Sequence, residues 1–288
     1  MRILKISAAL LTIATSFALP PSASAQSRGK VLVVMSSTHE LALRDGKKYA
    51  TGYYLNEFVV PYRKLVEAGY EPVIANPNGD MPVMDVNSNN KMFFGGDELA
   101  RAEAEKYVQT ITQLQHPKML AAVAADGGKG YVGLFIPGGH APMADLLKDR
   151  NLGKILASFH QTGRPTGIIC HGPVVLLSAL SDPDAFLASM RANDGKANAL
   201  AAGWPYAGYR LTVFSTGEEQ QLEGPSGLGG NVEFYPVNAL AEAGAHVDTV
   251  ANWHSNVIVD RELITGQQPM SAPEFGDVLV RQLNARHR

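Results

Sequence analysis

Cysteine is almost missing from this sequence: 288 residues include one, Cys170. A lone cysteine cannot close an internal disulfide or form a Cys-x-x-Cys metal clamp, which leaves a free thiol or a small apolar side chain. An excess of one charge is missing as well. Twenty-five Lys and Arg nearly balance 27 Asp and Glu, with no Lys/Arg-rich block, so neither nucleic acid nor an anionic membrane surface is expected as a partner. The eight histidines show no His-x-x-x-His spacing, and no metal site is expected. The glycine-rich run 224–230 lacks the Lys-Ser/Thr of a P-loop, which leaves nucleotide binding without support. Internal repeats, low-complexity linkers and apolar runs long enough to span a bilayer are absent too.

What is present begins with a short basic start, Met1-Arg-Ile-Leu-Lys5, then an apolar stretch from Ile6 to Leu19 and Pro-Pro-Ser-Ala-Ser-Ala25. This pattern predicts a signal peptide over 1–25, cleaved after Ala25, and a periplasmic or secreted mature chain that begins at Gln26 and carries no membrane anchor. With 45% hydrophobic residues, the mature part can bury a large core as one domain over 26–288.

Along the mature chain, short β-rich runs alternate with helical patterns, which predicts an α/β fold. Lys30–Ser36, Glu71–Ala75, Tyr131–Ile136 and Pro165–Ile169 are short, apolar and bounded by Gly or Pro, as buried parallel strands are. Further strands are expected over Arg210–Ser215, His246–Val250 and Asn256–Val259, and a final helix over Pro273–Asn284. Leu55, Phe58, Val59, Tyr62, Leu65 and Val66 recur at helical spacing and stop at Gly69, a candidate C-cap. Pro61 predicts a kink or a first turn in that helix. The charged, Ala-rich stretch 97–125 reads as helices inserted over one side, part of a lid.

The stretch Thr166-Gly-Ile-Ile-Cys-His-Gly-Pro-Val-Val175 reads as strand, turn, helix, with the thiol at the tip of the turn. A turn of this kind, a nucleophile elbow, aims the side chain toward the free N–H groups of the next helix, where a negative sulfur is favoured. The bland alternative is a cysteine packed as a small apolar residue; the adjoining His-Gly-Pro favours the elbow. Phe135-Ile-Pro-Gly-Gly-His140 ends the preceding strand with two glycines. The backbone N–H groups of Gly139 and His171 are therefore candidates for an oxyanion hole.

At these motifs the sequence resembles the ThiJ/PfpI superfamily, the class I glutamine amidotransferase-like fold. Thr51–Phe58, Pro61-Tyr62, Ala75–Gly79, Pro137–His140, Asp145-Leu146, Cys170–Pro173, Thr212–Glu219 and Leu263–Gln267 follow the order of its heat-shock chaperone and glyoxalase III branch. The resemblance implies a flavodoxin-like three-layer sandwich with a mostly parallel central sheet and a small helical cap between Met81 and Gly130. It also implies a cofactor-free site in which Cys170 is the nucleophile, His171 its neighbour and Glu57 the acid of the first helix against the sulfur. The triad's own acid follows a Phe-Ser run, where Glu218 and Glu219 are both available; Glu218 is favoured. His140, His254 and Trp253 are candidates to line the pocket, with a structural role open for each. The expected activity is conversion of a small 2-oxoaldehyde such as methylglyoxal to a 2-hydroxy acid (D-lactate) through the cysteine. A holdase chaperone and a cysteine amidase or peptidase are the alternatives, and a homodimer is open.

Overall fold

The computed structural model describes residues 27–286, so the signal peptide expected over 1–25 lies outside the described residues. Strands β1 (Lys30–Val34), β2 (Glu71–Asn76), β3 (Lys118–Met119), β4 (Tyr131–Ile136), β5 (Thr166–Ile169), β6 (Val257–Asp260) and β7 (Leu263–Gly266) form one sheet in the order β6-β7-β5-β4-β1-β2-β3. All neighbours run parallel except β6 and β7. Successive side chains of a strand point to opposite faces, and both faces here are covered. Val31, Val33 and Phe135 pack with Phe58, Leu65, Phe275 and Leu279 of helices α1 (Leu55–Glu67) and α5 (Ala272–Arg286). Leu32, Val34, Leu134 and Ile136 pack on the other face with Ile155, Leu156 and Phe159 of α3 (Arg150–Thr162), while α2 (Glu98–Thr110) and the short helix Leu120–Ala124 come earlier in the chain. The result is the α/β fold that the alternating patterns predict, in the three-layer, flavodoxin-like form that the family resemblance implies.

Helix α1 carries one catalytic candidate, and its ends are legible. Gly69 sits at φ +85° just past the C-cap Ala68, its N–H donating to Val66 and that of Tyr70 to Leu65, so glycine supplies the left-handed turn that closes the helix. Pro61 lies inside α1 rather than in its first turn, and with no N–H it cannot bond the carbonyl of Glu57 one turn earlier. Packing on α5 keeps this stretch helical: a Cβ on Gly276 would come within 3.2 Å of the Pro61 Cα, so the two helices touch almost backbone to backbone.

Several expected elements are shorter or of another kind. The strand predicted over 210–215 stops at Leu211 and pairs with His246–Val247 in a separate two-stranded ladder. Beyond it the backbone donors are claimed elsewhere, Thr212 N–H by Thr265 Oγ1 at 2.9 Å and Phe214 N–H by the Cys170 carbonyl at 2.9 Å. That diversion carries the chain across the site. The cap region holds α2, several 3-10 turns and the edge strand β3, and is less purely helical than expected. Among the described residues no helix is long and apolar enough to cross a membrane.

Candidate active site

Cys170 occupies the elbow tip at φ +66°, the left-handed region that a residue with a Cβ rarely enters, at a cost of about 1–3 kcal/mol. Its backbone is held on both sides: the N–H donates to the Gly266 carbonyl at 2.9 Å, and its carbonyl accepts from Phe214 N–H. The 3-10 helix Gly172–Ala179 follows, with Pro173 in its first turn, where the expected helix after the elbow lies. Close approach explains the neighbouring glycines. A Cβ on Gly138 would lie 2.4 Å from the Cys170 Cβ and 2.4 Å from Glu57 Oε2, and one on Gly172 would meet Ile168 at 2.7 Å.

Around the sulfur the side chains form an ordered relay. Cys170 Sγ lies 3.3 Å from His171 Nδ1, and His171 Nε2 lies 2.6 Å from Glu219 Oε2. His140 Nε2 reaches the other oxygen of the same carboxylate at 2.8 Å. Phe214 stacks on His171 with ring centroids 4.3 Å apart, and Trp253 meets Phe214 edge-on at 5.9 Å. All three members of the relay are buried, Cys170 being only 2% exposed. The thiol is thus less accessible than an elbow at the mouth of an open pocket would make it.

The structure corrects the choice between the two glutamates. Glu218 does not touch His171. Its carboxylate accepts from Ser215 N–H at 2.9 Å, from Trp253 N–H at 2.8 Å and from the Gln267 amide at 3.2 Å, while Ser215 Oγ accepts from Glu218 N–H. This is a capping box at the start of helix α4 (Thr216–Leu222), extended to hold the left-handed Trp253 at φ +63°. Ser215-Thr-Gly-Glu218 carries the Ser-x-x-Glu signature of such a box, so the sequence held a signal that assigns Glu218 to the backbone. Phe214 and Gly138 lie within the motifs Thr212–Glu219 and Pro137–His140, but no local pattern marks either as a contact of His171 or Cys170. His254 is exposed and binds the carbonyl of Asn252 in its own loop, away from the sulfur.

The electrostatics follow from burial. Two imidazoles beside Glu219 overcome its desolvation and hold its carboxyl well below the usual range, so it is an anion that only accepts. Burial and the neighbouring His140 push His171 down to about 4, so its ring is neutral near pH 7. With Nε2 donating to Glu219, the His171 Nδ1 lone pair faces the thiol. Glu57 has the opposite fate. Neither of its oxygens makes a regular hydrogen bond among the described residues, although the thiol and the Gly138 backbone lie close by, and burial lifts it to about 8. It is therefore a neutral acid near pH 7. Burial also raises the Cys170 thiol, an effect that a Glu57 anion would increase and that the backbone groups of Gly139 and His171 oppose.

His140, His171 and Glu219 place ligand atoms within 4.8 Å of one another, a set that could hold a metal ion and that no spacing in the sequence reveals, because the residues come from three separate segments. Each carboxylate oxygen already pairs with one imidazole N–H, which accounts for the cluster without an ion.

Residues 49–182 match the DJ-1/PfpI family. The protein/nucleic acid deglycase HchA of Staphylococcus aureus is 25% identical over 258 residues, covering 88% of this chain and 80% of that protein. Among solved structures, the Francisella tularensis rapid encystment protein is 23% identical with a TM-score of 0.64, covering 88% of this chain and 99% of that one. Glyoxalase III from Candida albicans is 21% identical with a TM-score of 0.66, covering 88% and 97%. The two structures share this fold.

Proposed function

Because the chain belongs to the DJ-1/PfpI family, we propose that it is a cofactor-independent, glyoxalase III-like enzyme that converts methylglyoxal or a related small 2-oxoaldehyde to a 2-hydroxy acid. The observation that carries this reading is the thiol of Cys170 set between a neutral base, His171 Nδ1 at 3.3 Å, and a neutral acid, Glu57. Aldehyde rearrangement needs both at one carbon pair.

In the first step His171 Nδ1 takes the thiol proton as sulfur bonds to the aldehyde carbon, and Glu57 gives its proton to the carbonyl oxygen, forming a hemithioacetal. Glu57, now a carboxylate, removes the C1 hydrogen while the imidazolium protonates the C2 oxygen, giving an enediol. Backbone donors of Gly139 and His171 favour the charge that develops on oxygen. Glu57 then returns its proton to C2 and His171 takes the C1 hydroxyl proton, leaving a thioester. Water, losing a proton to Glu57, displaces the sulfur, which recovers a proton from His171. The product is the 2-hydroxy acid, and all three residues are back in their starting states. Glu219 stabilises the imidazolium at each stage.

The deglycase relative suggests the same thiol acting on glycated macromolecules. A cysteine residue only 2% exposed favours a small aldehyde over a protein-sized or peptide substrate. A holdase role would rest on the apolar side chains exposed in the cap, such as Met81, Val86 and Leu99, and would not need the cysteine. The basic start, apolar run and Ala-Ser-Ala25 support a secreted or periplasmic setting for this activity. The test is turnover of methylglyoxal by the purified protein beside Cys170→Ser, with glycated peptide and simple amides in parallel. Turnover that survives Cys170→Ser, or is confined to peptide or amide, would refute the reading.

A further inference from the structure

Glu219 has two carboxylate oxygens, and the structure gives each one histidine: Oε2 to His171 Nε2 at 2.6 Å and Oε1 to His140 Nε2 at 2.8 Å. A carboxylate held at one oxygen can still turn about its own axis; held at both, it presents a fixed lone pair. The two rings lie against each other, centroids 3.9 Å apart, and Tyr49 abuts His140 edge-on at 5.6 Å, so neither ring is free to swing. His140 is 2% exposed, and its second nitrogen, Nδ1, has no partner among the described residues. An unpartnered buried lone pair costs less than an unpartnered buried N–H, so the arrangement places the His140 N–H on Nε2, facing Glu219, and leaves Nδ1 as the bare nitrogen.

We propose that His140 is a positioning residue: by donating Nε2–H to Glu219 Oε1 it fixes the carboxylate that accepts from His171 Nε2–H, and so keeps the His171 Nδ1 lone pair on the thiol. The inference rests on the cysteine chemistry proposed above, but its geometry does not depend on the substrate. Without His140, Oε1 is left buried and unpaired, and the carboxylate can rotate or take up a proton. His171 then loses the acceptor that selects its tautomer, and the fraction of enzyme with Nδ1 free to take the thiol proton falls. His140 touches neither sulfur nor substrate in this scheme.

The test pairs two substitutions. His140→Phe keeps a ring of similar size and removes the donor; His140→Gln restores an N–H on a side chain of similar reach. Methylglyoxal kinetics and nitrogen NMR of histidine-labelled protein are measured for both and for the unmodified enzyme. The expected result for His140→Phe is a kcat about ten- to hundredfold lower, the range for losing a hydrogen bond to a charged group, with KM within about twofold. Its His171 signals should show the Nδ1–H form appearing, and His140→Gln should recover kcat to within about threefold of the unmodified enzyme. A kcat in His140→Phe equal to the unmodified value, or His171 remaining wholly Nε2–H in it, overturns the proposal. If that variant does not fold, the unmodified protein still decides: His140 protonated at Nδ1 instead of Nε2 also overturns it. An unmodified enzyme that folds and shows no aldehyde turnover defeats the functional reading alone, because the tautomer measurement needs no substrate.

Discussion

Replacing Glu57 with glutamine should make the protein more stable and less active at once. Glu57 is fully buried, and its carboxyl is lifted from 4.5 to about 8, mainly by desolvation. In the unfolded chain the same group ionises near its ordinary value. The favourable contribution of the neutral carboxyl is therefore complete below about pH 4.5 and is lost as pH rises toward and through 8, since the unfolded chain alone gains from releasing the proton. At about 1.4 kcal/mol per pH unit, pH 7 carries a cost of about 3 kcal/mol that Glu57→Gln does not have, roughly 6–12 °C in Tm for a chain of this size. At pH 5 the gain should shrink below about 1 kcal/mol. The assay is thermal or urea unfolding of both proteins at pH 5, 7 and 8, beside methylglyoxal turnover. Glutamine cannot cycle a proton, so turnover should fall by about two to four orders of magnitude, while the aldehyde adduct on Cys170 remains detectable by intact mass. In the unmodified enzyme, activity should decline above about pH 8 as the acid ionises. A Glu57→Gln variant no more stable at pH 7 than at pH 5, relative to the unmodified protein, would mean that Glu57 is charged in the fold and the mechanism starts from the wrong protonation state.

The two adjacent glutamates should separate cleanly. Glu219→Gln is expected to keep the fold and lower kcat by about two to three orders of magnitude, whereas Glu218→Ala, which strands the Ser215 and Trp253 N–H groups and the Gln267 amide, should cost about 2–4 kcal/mol of stability; unfolding and kinetic data on both variants decide, and the reverse pattern would restore Glu218 to the relay. Gly138→Ala should abolish turnover even though it adds one methyl, because that carbon would sit 2.4 Å from both the Cys170 Cβ and Glu57 Oε2; a crystal structure of a fully active variant would contradict the packing. Intact-mass measurement of protein from the native host should give a chain beginning at Gln26, and a product that retains Met1 would end the secretion proposal.

Local rules made much of this protein readable in advance. Apolar runs between Gly and Pro located the inner strands, Gly69 marked the end of α1, and Thr166–Pro173 announced an elbow with its thiol at the tip. Each depends on a few neighbouring residues, so the chain states it directly. The truncated strand at Leu211 could not be read in this way, because Thr212 and Phe214 give their N–H groups to partners far along the chain.

The same limit governs the site. The sequence by itself determined that Cys170 and His171 share a turn, and the Ser-x-x-Glu pattern at 215–218 was present to claim Glu218 for the helix end. Only the tertiary structure decided that Glu219 faces His171 and that His140 closes the other side of its carboxylate. Consecutive side chains on a helix point about 100° apart, so two adjacent glutamates are equivalent until the helix is docked. The docking of α4 is set by packing against distant segments, and that packing brings residues 140, 171 and 219 into one buried cluster.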